Sequence, residues 1–269
     1  MHRDGLIELP PPRGTNGNGR IRPQRTLLGE PGEPVTASVG RLGKLELVSV
    51  RSRGDSRLWN ELIERYHYLG YQPLPGAQMR YLVFGGSRML GALGFGASAW
   101  KVAPRDQFIG WTADERVARL ALVVNNARFL ILPWVTSRNL ASRLLSRVAK
   151  QLPKDWEDRY GYRPVLLETF VEVDRFRGTC YRAANWICVG KTQGRGKLDR
   201  YKRRALPTKH IFLYPLCRDF RQRLRGHEWR GSLTTTSVGT DTSSREEHHH
   251  ANTHGRDSAV SPRDSSELQ

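Results

Sequence analysis

Cysteine is scarce, acid is short and long apolar runs are missing, and each shortage removes a class of protein. The three cysteines, Cys180, Cys188 and Cys217, are an odd number without paired metal-ligand spacing, which argues against a disulfide scaffold and a structural zinc site. The run His248, His249, His250 has no second ligand cluster beside it. No apolar stretch approaches the roughly 20 residues a bilayer span needs, and no basic amphipathic helix with a broad apolar face is evident. No membrane partner is therefore expected. The amino terminus carries charge but lacks the apolar core of a secretory signal, so a cytoplasmic location is expected. Asp and Glu number 26 against 44 Lys and Arg, a formal net charge of +18 in 269 residues. That imbalance favours a polyanionic partner through long-range attraction and counterion release, nucleic acid and above all DNA.

What is present is a folded middle between two polar ends. Residues 1–43 are crowded with Pro, Gly and Arg, and residues 231–269 with Ser, Thr and charge. Neither end holds enough apolar surface to offset ordering entropy, so both are expected to be disordered tails. With 38% hydrophobic residues and seven Trp the chain has material for a core, expected as a single domain over residues 44–230.

Period-2 alternation predicts a strand over residues 45–50. Leu58, Trp59, Leu62, Ile63 and Tyr66 then share one face of a helix, capped by Asp55 or Ser56 and ended at Gly70. Residues 79–84 and 89–95 read as strands joined by Gly85-Gly86-Ser87-Arg88, a hairpin signal. Residues 97–112 look irregular, and Asp114 is placed to cap a helix running to about residue 122. The apolar run 127–132, stopped by Pro133, suits a strand buried on both faces. A helix over 139–152 follows, with Leu140, Leu144, Leu145 and Val148 at helical spacing. A strand over about 164–173, a short helix over 178–184, a strand over 186–189, a basic loop over 191–209 and a strand over 210–213 complete the domain. The fold class expected is mixed α/β, a mostly antiparallel sheet flanked by helices.

The order β-α-β-β-β-α-β-α-β-β over residues 45–214, with one helix inserted before the buried strand, resembles the fold of the Gcn5-related N-acetyltransferases. In that family a buried strand feeds a helix N-terminus that holds the pyrophosphate of acetyl-CoA. The matching turn here is Trp134-Val135-Thr136-Ser137-Arg138-Asn139-Leu140-Ala141-Ser142, without a glycine. A helix N-terminus suits an anion, but close backbone approach to a diphosphate calls for glycine, so acetyl-CoA is not expected to bind. A second set of motifs comprises YHYLGY at 66–71, SAWK at 98–101, RDQFIGW at 105–111, VVNNARFLILPWV at 123–135, NLAS at 139–142, LLETFVEVDRFRGTCYRAANWICVG at 166–190 and TQGRG at 192–196. Together they resemble the DruA-type proteins of the Druantia anti-phage defence systems and their mobile-element relatives. That resemblance implies DNA-directed defence or transposition, with a helicase or other defence-system subunits as partners. It assigns no catalytic residue.

Alternation along the strand ending near residue 173 puts Glu168, Glu172 and Asp174 on one face. Such a face suits Mg²⁺ and phosphodiester cleavage, with Asp106 joining from another segment; the polar outer face of any half-buried strand looks the same. His67, near a helix end, is a candidate general acid or base, or a cap. Cys180, at a helix start near Arg177 and Arg182, is a candidate nucleophile with a lowered thiol pKa, or a packed small residue. Asn125, Asn126 and Arg128 precede the buried strand as a turn or as substrate contacts. The basic loop supplies Lys191, Arg195, Lys197, Arg200, Tyr201, Lys202, Arg203, Arg204 and Lys209 for phosphate and stacking contacts. From Lys191 to Arg230 there are thirteen basic residues against three acids. Three functions stay open: a DNA-acting protein that cleaves or rejoins strands, a non-catalytic DNA-binding subunit, and an acyltransferase using an acyl-CoA.

Overall fold

Strand β1 (Leu45–Ser49) leads into helix α1 (Arg53–Tyr66), and the start of that helix is set by a capping box. Ser52 Oγ accepts from the Asp55 amide while the Asp55 carboxylate accepts from the Ser52 amide. The cap thus lies at Ser52 rather than at Asp55 or Ser56, because Asp55 serves as the return acceptor. The hairpin β2 (Gln78–Gly85) and β3 (Arg88–Ala97) turns through Gly86 at φ +60°. Helices α2 (Ala103–Ile109) and α3 (Ala113–Arg119) follow, then β4 (Val123–Ile131), α4 (Leu140–Tyr160), β5 (Leu166–Glu172), α5 (Thr179–Ala183), β6 (Ile187–Lys191), β7 (Lys209–Pro215) and α6 (Phe220–Arg225). The structure, a computed structural model, describes residues 22–194 and 206–226.

One sheet holds all seven strands in the order β1-β2-β3-β4-β5-β7-β6, antiparallel except for the parallel pair β4 and β5. That pair is joined only from Val123 opposite Leu166 to Asn125 opposite Glu168. Beyond it β5 continues its pairing with β7 while β4 continues with β3, so the two parallel strands part and open a wedge in the sheet. At the same point the β3–β4 register shifts: Phe95 faces Asn126 but Gly94 faces Arg128, leaving Ala127 as the extra residue of a bulge. The mixed α/β class with helices on a mostly antiparallel sheet is as the patterning predicts.

Two apolar clusters cover the two faces. Trp59, Leu62 and Ile63 of α1 and Leu144, Leu145, Val148 and Trp156 of α4 join Leu167 and Val171 of β5. On the other face Ile109 of α2 and Phe220 and Leu224 of α6 join Leu166 and Leu213. β5 is therefore a central strand buried on both faces for most of its length, and Glu168, the first of the acids read onto its outer face, lies under α2. The segment read as irregular supplies α2, and the basic stretch after β7 supplies α6.

Two further expectations change. Helix α4 does not stop at residue 152 but passes through Pro153 to Gly161, at φ +76°. Its last turns are anchored by buried Trp156 and by Tyr160, whose hydroxyl accepts from the Gln78 amide and donates to the Gln78 carbonyl, and this packing outweighs the proline penalty. Residues 22–43, assigned to a disordered leader, instead lie on the domain. The Thr26 amide and hydroxyl both donate to Glu61, Tyr66 donates to the Gly29 carbonyl, and Val35 forms a parallel bridge with Val135. Glu61 explains the order. Burial pushes its carboxyl up, but Thr26 and Arg65 more than offset this and leave it below the ordinary carboxylate value. No helix among the described residues is long and apolar enough to cross a membrane.

Candidate functional site

The wedge between β4 and β5 is a cavity of about 560 Å³, lined by residues 66–69 at the end of α1, 125–131 of β4, 169–171 of β5, 176–181 around α5, and Lys209 of β7. Asn126 pins the walls together. Its Nδ2 donates to the carbonyls of Gly94 and Arg128, its Oδ1 accepts from the Tyr181 hydroxyl, and its backbone carbonyl accepts from Thr169 Oγ1. The Asn126 side chain thereby holds the bulge open and ties β3, β4 and α5, and its backbone carbonyl adds β5. Gly94 is needed opposite the bulge, since a Cβ there would lie 2.8 Å from the Trp59 ring and 3.2 Å from Arg128 Cβ.

The bulge sets Arg128 into the wall, only 9% exposed. Nη1 donates to the Ala127 carbonyl at 2.8 Å, and Nε has no protein partner. Among the described residues no carboxylate forms an ion pair with it, and burial pulls its pKa below the ordinary value. Asn125 adds a second unpartnered group, its buried Oδ1 acceptor. His67 is the residue after α1, its ring stacked on Tyr68 at 4.9 Å between centroids. Its Nδ1 accepts from the Leu69 amide at 3.3 Å, so in the neutral ring the proton sits on Nε2. Burial and then the Arg128 charge bring its pKa down to about 4. Tyr68 meets Phe176 edge-on at 5.3 Å, and these two rings, both partly exposed, form an aromatic lip.

His67 therefore couples pH to stability. Between pH 6.5 and about 4 the unfolded chain takes up a proton that the folded chain refuses, so stability falls as pH falls through that window. At about 1.4 kcal/mol per pH unit the loss is on the order of 2–3 kcal/mol. Urea unfolding at a series of pH values should show this fall in the wild type and a shallower one in His67→Gln.

His67, Asn125, Asn126, Arg128, Cys180 and Lys209 thus converge on one cleft. The acids do not join them. Glu168 is 0% exposed, its oxygens committed to the Ala99 amide at 2.8 Å and to Arg105 at 2.9 Å. Burial pushes its carboxyl up, opposed by Arg105 and the Ala99 amide. Asp106 binds the same guanidinium and also Arg116. Glu172 pairs with Arg175 at 3.4 Å, and Asp174 lies exposed beyond the strand. Among the described residues no group of three His, Cys, Asp or Glu side chains is placed to hold a metal ion. The three acids predicted to share a face are thus not brought together: Glu168 is locked in a buried ion pair, Glu172 is held by Arg175 and Asp174 lies out in solvent. Cys180 also departs from expectation: burial raises its thiol pKa, opposing the activation expected at a helix start.

Of the basic loop, Lys191 is exposed at the end of β6 and Lys209 opens β7 beside the cleft. Arg195, Lys197, Arg200, Tyr201, Lys202, Arg203 and Arg204 lie outside the described residues. Tyr68, Thr169, Phe176 and Tyr181 are site residues that the sequence reading misses, although YHY and the FRGTCY segment carry the aromatic signal. In the turn before α4, the Thr136 amide donates to Val35 and the Leu140 amide to Ser137.

A family model described as DruA, Druantia protein DruA, matches residues 1–203. No curated protein matches the chain. Among solved structures it is similar to a Vibrio cholerae spermidine N-acetyltransferase SpeG chimera with hSSAT, at 11% identity and TM-score 0.40, covering 65% of this chain and 96% of that one. It is also similar to a Bacillus subtilis acetyltransferase in complex with CoA, at 7% identity and TM-score 0.41, covering 65% and 100%. The ribosomal-protein-S18-alanine N-acetyltransferase of Escherichia coli matches at 9% identity and TM-score 0.39, covering 64% and 94%.

Proposed function

The chain belongs to the DruA family, and from that premise we propose that it is a nucleic-acid-binding protein of anti-phage defence whose β4–β5 cleft receives a single nucleotide unit. The observation that carries this reading is Arg128, a residue nine-tenths buried in the cavity wall whose guanidinium has no carboxylate partner among the described residues and whose Nε is buried without any partner. A buried cation without a counter-ion is costly, and a phosphate entering the cleft would relieve that cost with charge-assisted hydrogen bonds. The rest of the lining favours a nucleotide over a bare anion. Asn125 Oδ1 offers an acceptor for a base amine, the neutral His67 ring a donor, and Tyr68 and Phe176 a place for a base to stack. A cavity of about 560 Å³ falls in the range of ligand pockets. A base can enter only when unstacked, so a single strand or a flipped nucleotide is the substrate form.

In this reading the protein binds rather than cuts, because no carboxylate is among the described residues that line the cleft, and Glu168 and Glu172 are engaged in ion pairs. A helicase or another subunit of the defence system would act on the strand it holds. Acyl-CoA transfer has the element order in its favour. Against it stand the glycine-free turn before α4 and the commitment of the Thr136 amide to Val35.

The test is fluorescence anisotropy of a labelled single-stranded oligonucleotide with the full chain, competed by deoxynucleoside monophosphates and separately by coenzyme A. Retention that rises as salt falls and is competed by mononucleotides supports the reading. No retention even in dilute buffer overturns it, and displacement by coenzyme A but not by nucleotides would favour the acyl-CoA alternative.

A further inference from the structure

A second charged surface lies away from the cleft lining, on α4. Arg143, Arg147 and Lys150 recur at i, i+4 and i+7 on its exposed side, while Leu144, Leu145 and Val148 are buried beneath. With Lys44 they line a groove of about 620 Å³ that also includes the backbone of Gly40 and Gly43 and the side chain of Ser146. The neighbouring carboxylate is Glu46, which pairs with Lys44 at 2.8 Å. Among the described residues Arg143, Arg147 and Lys150 form no ion pair. This arrangement disfavours the helix itself. Like charges at i and i+4 repel, and the first turn of α4 holds no acid to meet its positive end. Such a stripe serves stability poorly and serves an external anion well.

We propose that this groove is a second nucleic-acid contact, holding the phosphate backbone that flanks the nucleotide in the cleft; it rests on the nucleic-acid reading of the cleft but names a separate surface. The three cations follow one helix face for about 10 Å at 1.5 Å rise per residue, a linear track suited to a strand of phosphates. A lipid surface fits less well, since the apolar residues of this helix point into the core and leave no apolar anchor for a bilayer.

The experiment measures affinity of the full-length protein for a short duplex with single-stranded ends across a range of salt concentrations. It compares wild type, Arg143→Gln/Arg147→Gln/Lys150→Gln, a control Arg51→Gln/Arg53→Gln/Arg57→Gln with the same charge change at exposed sites, and the cleft variant Arg128→Gln. The α4 variant is expected to fold with an unchanged or higher melting temperature. The slope of log affinity against log salt should become shallower by about 2–3, at about 0.9 for each phosphate that is no longer neutralised. The control should keep the wild-type slope. Equal slopes in wild type and α4 variant, or an equal drop in the control, overturn the proposal. So does a result in which the α4 variant loses only binding to phosphatidylserine vesicles. If Arg128→Gln leaves mononucleotide competition intact while the α4 variant loses its slope, the cleft reading fails and the α4 surface stands.

Discussion

Replacing Arg105 with methionine should cost about 3–5 kcal/mol of stability. Arg105 is 0% exposed, and every nitrogen of its guanidinium donates. Nε and Nη2 hold Asp106 at 2.9 and 2.8 Å, Nη1 holds the Ala99 carbonyl at 2.7 Å and Glu168 at 2.9 Å, and Nη2 also reaches the Trp100 carbonyl at 3.5 Å. The indole of Trp111 lies 5.5 Å from its centre. Without it the Glu168 carboxylate remains fully buried with the Ala99 amide alone, which is the expensive way to break a buried pair. Glu168 already has a raised pKa in the fold, and removing Arg105 raises it further. A carboxyl whose folded pKa exceeds its unfolded one stabilises at low pH and loses that contribution as pH rises, so the deficit of Arg105→Met should shrink on acidification. Urea unfolding at neutral and mildly acidic pH measures both. Glu168→Gln keeps the shape and leaves Arg105 with Asp106, so it should be milder, and Arg105→Met/Glu168→Leu should be less destabilised than Arg105→Met alone. A deficit within about 1 kcal/mol for Arg105→Met would show that the network is not structural.

This network also shows why the fold is easier to read from the sequence than the site. Strand periodicity and the Gly-Gly hairpin give the strands and their order, because both signals are local. Alternation along β5 correctly puts Glu168 on the face opposite Thr169, yet its environment depends on α2 and α6, which come from distant parts of the chain. Helix α2 has seven residues, begins with proline near its first position and buries an arginine, so neither length nor apolar spacing announces it. Helix α6 hides in a basic run in which only Phe220 and Leu224 face inward. The cleft is legible as residue types but not as geometry. Asn125-Asn126 reads as a turn, whereas β4 already begins at Val123 and bulges at Ala127, and it is the bulge that turns Arg128 into the cavity wall.

Arg128 carries the second large prediction, and its sign separates function from structure. A guanidinium kept for stability should destabilise the fold when removed. One kept for a ligand in a buried, unpaired position should not, since Arg128→Gln removes a desolvated charge that no carboxylate among the described residues offsets. The variant is therefore expected to melt at or above the wild-type temperature while its affinity for a mononucleotide or short single strand falls about 10- to 100-fold, the range of a missing charge-assisted hydrogen bond of about 1.5–3 kcal/mol. Arg128→Lys should recover part of that affinity, because it keeps the charge but loses Nε and the planar fork. His67 offers a readout independent of binding. Arg128 is the smaller of the two causes that lower its pKa, so in Arg128→Gln the imidazole should titrate above its present value of about 4 while burial still holds it below 6.5. NMR of the ring protons would follow this shift. A lower melting temperature with unchanged nucleotide affinity would make Arg128 a structural residue, and the cleft would then lack the cation on which the nucleotide reading depends.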